Sequence, residues 1–218
     1  MRKRVLTDKE LKTIWDALTP PIELSGTSVS PNVAYSILLA MVLLQRRAEI
    51  TGMSIDEIDR EKRLWIIPDH RTKNHRTHVV PLPDLAVDLI DKAIAVRTKD
   101  SRYVFPSPRG EDQPVNPQAL TRAFIRTREA LGLDDMRPHD LRRTGAINLT
   151  GEALGFSRFM VSKVLNHTSD TGNSAAVTSV YDQNEYLTEK RRALEAWSLR
   201  LLWIVGGQGR KQNVVSLR

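Results

Sequence analysis

Cysteine is absent from this chain of 218 residues. That one count excludes a disulfide framework, a cysteine-ligated zinc site and a thiol nucleophile. Long apolar runs are lacking too. The longest, Ile37 to Leu44, is far shorter than the ~20 residues a membrane-spanning helix needs. The start of the chain, Met1-Arg2-Lys3-Arg4-Val5-Leu6, carries charge with no apolar stretch behind it, so it does not read as a secretory signal. The expectation is a soluble, cytoplasmic protein with no membrane partner.

What is present is positive charge. Lys and Arg number 33 against 26 Asp and Glu, a net charge of +7, and the pI lies near 9.9. An excess of this size favours a polyanionic partner, nucleic acid ahead of a membrane surface. The hydrophobic share, 40%, is slightly low but fills one core at this length.

Helical signals dominate the chain. Thr7-Asp8-Lys9-Glu10 has the form of a capping box, and Leu11, Ile14, Trp15 and Leu18 follow at helical spacing until Pro20-Pro21. Ser30-Pro31 opens a second helix that runs to about Ile50 and is apolar nearly all round until Gln45, the pattern of a buried helix. Residues 63–67 and 77–81 read as two strands of an antiparallel hairpin. The hairpin region is basic: from Arg60 to His78 there are six Lys or Arg and two acids. Further helices are expected at about 83–98, 117–131, 138–150, 157–166 and 188–205. No repeat, low-complexity segment or internal linker appears. The fold class is mostly α with a small antiparallel β-sheet (α+β), in one domain over 1–205 followed by a tail, 206–218.

Several polar segments can carry chemistry. In His139-Asp140-Leu141-Arg142-Arg143-Thr144, His139 and Arg142 share one helix face. A proton-transfer group beside a planar cation suits a phosphate ester, although an exposed helix start behind Pro138 accounts for the same residues. Gln45-Arg46-Arg47-Ala48-Glu49 ends the buried helix, and Glu49 stands in register to orient Arg46. Cations complementing a helix C-terminus are the plainer account. Lys73, in Thr72-Lys73-Asn74, occupies the hairpin turn, where a lysine can reach a backbone phosphate or simply be solvated. His167 closes the helix at 157–166, a capping position, and Tyr181 follows in a segment rich in Ser, Thr, Gly and Asn. A phenol with an ordinary pKa near 10 needs neighbouring cations or a base before it becomes a nucleophile. His70, His75 and His78 crowd one stretch, but no carboxylate falls into ligand register with them, so no metal and no cofactor is expected.

Taken in order, Arg46, Lys73, His139-x-x-Arg142, His167 and Tyr181 resemble the catalytic set of the tyrosine recombinases, the phage-integrase family. Arg46-Arg47-Ala48-Glu49-Ile50 looks like the family's first arginine box, the strand–Thr72-Lys73-Asn74–strand passage like its lysine hairpin, and His139 to Thr144 like its second arginine box. Val164-Leu165-Asn166-His167 and Val177-Thr178-Ser179-Val180-Tyr181 look like its closing boxes. The match covers about residues 5–200. The resemblance implies the family's catalytic-domain fold and a DNA strand transferase working without a cofactor on double-stranded DNA, as a homo-oligomer, a tetramer on DNA. In that scheme Arg46 and Arg142 clamp the scissile phosphate and Tyr181 attacks it, leaving a 3′-phosphotyrosyl link. Lys73 protonates the leaving 5′ oxygen, His139 exchanges a proton with the tyrosine, and His167 hydrogen-bonds the phosphate. Type IB topoisomerase-like relaxation and a non-catalytic DNA-binding module are the alternatives.

Three departures accompany it. Leu44 stands where the family usually has a small residue, which bears on how closely the backbone approaches DNA. The His167–Tyr181 interval is long and leaves Tyr186 as a second candidate nucleophile. The family's N-terminal DNA-clamping domain has no counterpart in the sequence, as expected of an excised catalytic fragment. The basic tail, 206–218, is expected to dock on a neighbouring subunit.

Overall fold

The computed structural model describes residues 4–97, 100–109, 112–133, 135–167 and 186–206. It is mostly helical with one small antiparallel sheet, as the sequence patterning implies. Helix α1 (Asp8–Leu18) begins at the expected capping box. The Glu10 N–H donates to Thr7 Oγ1 at 3.2 Å and the Thr7 N–H to Glu10 Oε2 at 2.8 Å. Its Leu11, Ile14 and Leu18 are buried.

Helix α2 (Pro31–Leu43) is the axis of the core. Every residue from Ala34 to Leu43 is buried, which is why no polar face interrupts its sequence. It packs against α1, α4 (Asp84–Ala95), α5 (Pro117–Ala130), α6 (Pro138–Thr150) and α8 (Leu187–Gly206). Burying each such Leu or Ile side chain contributes roughly 1.5–3 kcal/mol, so this helix anchors the domain.

The expected continuous helix to Ile50 is corrected here. α2 stops at Leu43, Leu44 adopts a left-handed φ of +58°, and a separate short helix, α3 (Arg47–Thr51), starts from Arg46 as its N-cap. Arg46 and Arg47 therefore begin a helix instead of ending one. The break falls inside a run that is buried from Ala34 to Gln45, with no proline or glycine to mark it, so the pattern alone could not reveal it.

The expected hairpin is a three-stranded sheet, the second correction. β1 (Ile58–Asp59) pairs with β2 (Leu64–Ile67), and β2 pairs with β3 (His78–Pro81). In the register of the β2–β3 pair, Trp65 faces Val80 and Ile67 faces His78. All four β3 residues are buried, because α8 lies along this strand. Lys190 of α8 donates to Val79 O at 3.2 Å, so the sheet edge is covered by a helix. Helix α7 (Arg158–Val164) precedes His167. No described helix is long and apolar enough to cross a membrane.

Candidate active site

Two helix ends meet in the core, and what their carbonyls need determines the site. The last carbonyls of a helix lack intrahelical donors and must find others when buried. At the end of α2, Met41 O accepts from Trp197 Nε1 at 2.9 Å, Leu43 O from Gln45 Nε2 at 2.8 Å, and Leu44 O from Arg142 Nη1 at 2.6 Å. At the end of α7, Val164 O accepts from the same Gln45 amide at 3.0 Å. Leu165 O accepts from Arg142 Nη2, and Asn166 O from Arg46 Nη2 at 3.0 Å.

The two arginines thus cap two converging helix ends. This is how like charges can sit side by side. Carbonyl dipoles face both guanidinium groups, and Glu49, 2% exposed in its side chain, holds Arg46 Nη1 at 2.9 Å. Glu49 also accepts the Arg46 N–H at 2.9 Å, closing the start of α3. The expected orientation of Arg46 by Glu49 is therefore observed. Burial, then Arg46, pulls the Arg142 pKa down to about 10, with Glu49 opposing. Arg142 stays protonated at neutral pH. Among the described residues, two of its five donors are spent on Leu44 O and Leu165 O.

His139 enters through α6. Arg137 is the N-cap and Pro138 the first residue; buried Asp140 accepts the Arg137 N–H at 2.9 Å. His139 and Arg142 come to one face, and both line a cleft of about 640 Å³ with Arg46, Arg47 and Arg137 on its walls. Partial burial, then the positive charges of Arg142 and Arg143, lower the His139 pKa, with Asp140 opposing. The imidazole is neutral at pH 7 and can accept a proton.

His167 is placed by a Schellman turn. Its N–H donates to Ser162 O at 3.0 Å, the Asn166 N–H donates to Lys163 O at 3.3 Å, and Asn166 takes the left-handed conformation at φ +49°. Asparagine tolerates that conformation better than most residues. His167 is exposed, and its pKa is lowered by desolvation first, then by Arg142, Arg46 and His139, so all four groups share one electrostatic neighbourhood.

Lys73 is exposed in the turn of the β2–β3 hairpin. Buried Thr72 closes that turn, its Oγ1 accepting the Arg76 N–H at 3.1 Å. Beside the lysine, Asn74 Nδ2 donates to Asn166 Oδ1 at 2.7 Å, tethering the hairpin tip to the His167 turn. Tyr181 lies outside the described residues. Tyr186 is described: it stands just before α8, its ring edge-on to Phe159 at 5.3 Å with Lys163 Nζ 5.5 Å from its centroid. His70 and His75 are exposed while His78 is buried in β3, so the three do not share one environment.

Leu44 is explained by Gly145. The leucine is fully buried, and a Cβ added to Gly145 would lie 2.2 Å from Leu44 Cδ2. The large residue in the first arginine box is accommodated by a missing side chain in α6. Sequence reasoning passed over the part of Gln45 in linking both helix ends, and weighed His78 only as a metal ligand and not as a buried ring close enough to Arg142 and Arg46 to feel their charge. Burial drives the His78 pKa well down, followed by the charges of Lys190 and Arg142. A glutamine ending an apolar run was the available signal for the first; the second had none.

The chain is similar to several known proteins. It is 28% identical to the prophage integrase IntA of Escherichia coli K12 over 172 residues, which is 78% of this chain and 39% of that protein. It is 27% identical to the tyrosine recombinase XerC of Corynebacterium glutamicum over 137 residues, 57% of this chain and 43% of that protein. The chain thus spans about two fifths of the length of the curated relatives it matches. Among solved structures, the integrase from mycobacterium phage Brujita aligns with a TM-score of 0.64 at 16% identity, over 94% of this chain and 64% of that one. A lambda integrase dimer bound to a COC′ core site aligns with a TM-score of 0.60 at 22% identity, over 78% and 60%. The model of the phage integrase family matches residues 4–186. With the arginine boxes, the lysine hairpin and the His167 turn all lying inside that span, the chain belongs to the phage integrase family.

Proposed function

We propose that the protein is a site-specific DNA recombinase that cleaves and rejoins double-stranded DNA through a 3′-phosphotyrosyl intermediate. One observation carries the reading: Arg46 and Arg142 are held together by the carbonyls of two helix ends, beside His139 and His167. Paired planar cations, preorganised before substrate arrives, are suited to the charge that builds on a phosphate's non-bridging oxygens.

In this reading the Tyr181 hydroxyl attacks phosphorus and passes its proton to neutral His139. The 5′ oxygen leaves with a proton from Lys73, and His167 donates a hydrogen bond to the phosphate. The ester energy stays in the phosphotyrosyl bond, so the 5′ hydroxyl of a second strand can reverse the step without ATP. Residues 1–205 would be the catalytic domain, and the tail, 206–218, would dock on a neighbouring copy. Double-stranded DNA and further copies of the chain are the proposed partners, acting in the cytoplasm. A lambda integrase has been seen as a tetramer bound to a Holliday junction, and a tetramer on DNA is the assembly proposed here.

The test is a pool of nicked duplexes with randomised cores, incubated with the protein, from which covalently bound DNA is recovered and sequenced. A denaturant-resistant adduct with an enriched core sequence is the expected result. The recovered core, cloned twice into a supercoiled plasmid, then separates the alternatives. Exchange products support recombination, relaxation without exchange indicates a topoisomerase, and binding without any adduct indicates a non-catalytic module.

A further inference from the structure

The hairpin that carries Lys73 is tied at its base as well as at its tip. Arg71, two residues before the lysine, lies in a 3₁₀ turn (Asp69–Arg71) and reaches across to the arginine box. Its Nη2 donates to Glu49 O at 2.8 Å, and its Nη1 pairs with the Glu57 carboxylate. Glu57 is itself pinned from β2 by Trp65 Nε1 at 2.9 Å. The Arg71 and Glu57 side chains are only 18% and 12% exposed, so the pair is shielded from solvent and salt. Space for the guanidinium is made by Gly52, where a Cβ would sit 2.6 Å from Arg71 Nη2.

Glu49 is thus used twice. Its backbone carbonyl takes Arg71, and its side chain takes Arg46. A single residue relates the base of the lysine hairpin to the first arginine, while Asn74 relates its tip to the turn that presents His167.

We propose that Arg71 is a positioning residue that sets the Lys73 hairpin against the helix start that already holds Arg46, so that the proton donor reaches the leaving oxygen of the phosphate that Arg46 clamps. This rests on the DNA-cleavage reading above. Arg71 touches neither phosphate nor nucleophile in the scheme; it acts through Lys73. Lysine cannot replace it fully, because one ammonium does not reproduce the fork that spans Glu49 O and Glu57.

The experiment compares leaving groups. Nicked duplexes carrying the recovered cleavage core are made with oxygen or with sulfur at the 5′ bridging position. A thiolate leaves without protonation, so a defect in proton donation disappears on the sulfur substrate. Arg71→Met is expected to slow single-turnover adduct formation by about 10²-fold on oxygen and to come within about threefold of the parent on sulfur, on the scale of general-acid contributions. Arg71→Lys should fall between them on oxygen. Glu57→Gln, which keeps the shape and removes the charge, supplies the same comparison if Arg71→Met does not fold. An equal defect on both substrates means that Arg71 only supports the fold, and overturns the proposal. A parent that forms no adduct on either substrate overturns the cleavage reading itself, and the proposal with it.

Discussion

At the scale of single residues, the site is governed by burial without neutralisation. Arg142 is 5% exposed yet keeps its charge because two backbone carbonyls accept from it. Lysine offers a point charge where the site needs a fork. Arg142→Lys is therefore expected to slow adduct formation by about 10²–10³-fold, the usual cost of losing a preorganised charge donor, while retaining helical content by circular dichroism. His78 has the opposite character, a buried ring kept neutral by desolvation and by Lys190, Arg142 and Arg46. Its folded pKa lies below the unfolded value of about 6.5, so the unfolded chain binds the extra proton first. Stability is present above about pH 6.5 and is lost as the pH falls below it, at up to about 1.4 kcal/mol per pH unit for this group. His139 and His167 shift in the same direction, but they are exposed at the surface. Denaturant unfolding between pH 5 and 7 should therefore show a shallower slope in His78→Gln; an unchanged slope contradicts this assignment.

At the scale of elements, the site exists because α2 breaks where it does. Leu44 in a left-handed conformation costs on the order of 1–2 kcal/mol, and its burial over Gly145 offsets that. Gly145→Ala places a methyl inside this contact and is expected to destabilise the protein by about 1–3 kcal/mol. Adding Leu44→Ala should return part of that loss, a coupling read directly from a double-mutant cycle. Additive losses would show that the two residues do not meet. This junction also marks where sequence reading stops. The capping box at Thr7, Pro138 at the start of α6 and the apolar run from Ile37 to Leu44 are local signals, and the elements they announce are present. The break at Leu44 depends on a glycine in α6, a residue about a hundred positions away, so no window on the chain contains its cause. β1 is only 2 residues long and pairs with a strand it cannot identify alone.

At the scale of the whole molecule, side chains from α3, α6 and the α7 terminal turn meet at the two converging helix ends, and the hairpin bearing Lys73 is tethered there by Asn74. The order of Arg46, Lys73, His139, Arg142 and His167 along the chain was legible only through the resemblance to the family's boxes, since each residue taken singly had a plainer account. What joins them was not, because Gln45, Asn166 and Arg71 act through backbone carbonyls whose positions only the fold supplies. Tyr181 completes the proposed chemistry, and it is the group whose role can be read most directly. The decisive measurement is peptide mapping of the covalent adduct formed on a nicked duplex by the parent chain, by Tyr181→Phe and by Tyr186→Phe. The account predicts nucleotide mass on the Tyr181 peptide, no adduct from Tyr181→Phe and undiminished adduct from Tyr186→Phe. Nucleotide mass on Tyr186, or an adduct from Tyr181→Phe equal to the parent's, would contradict it.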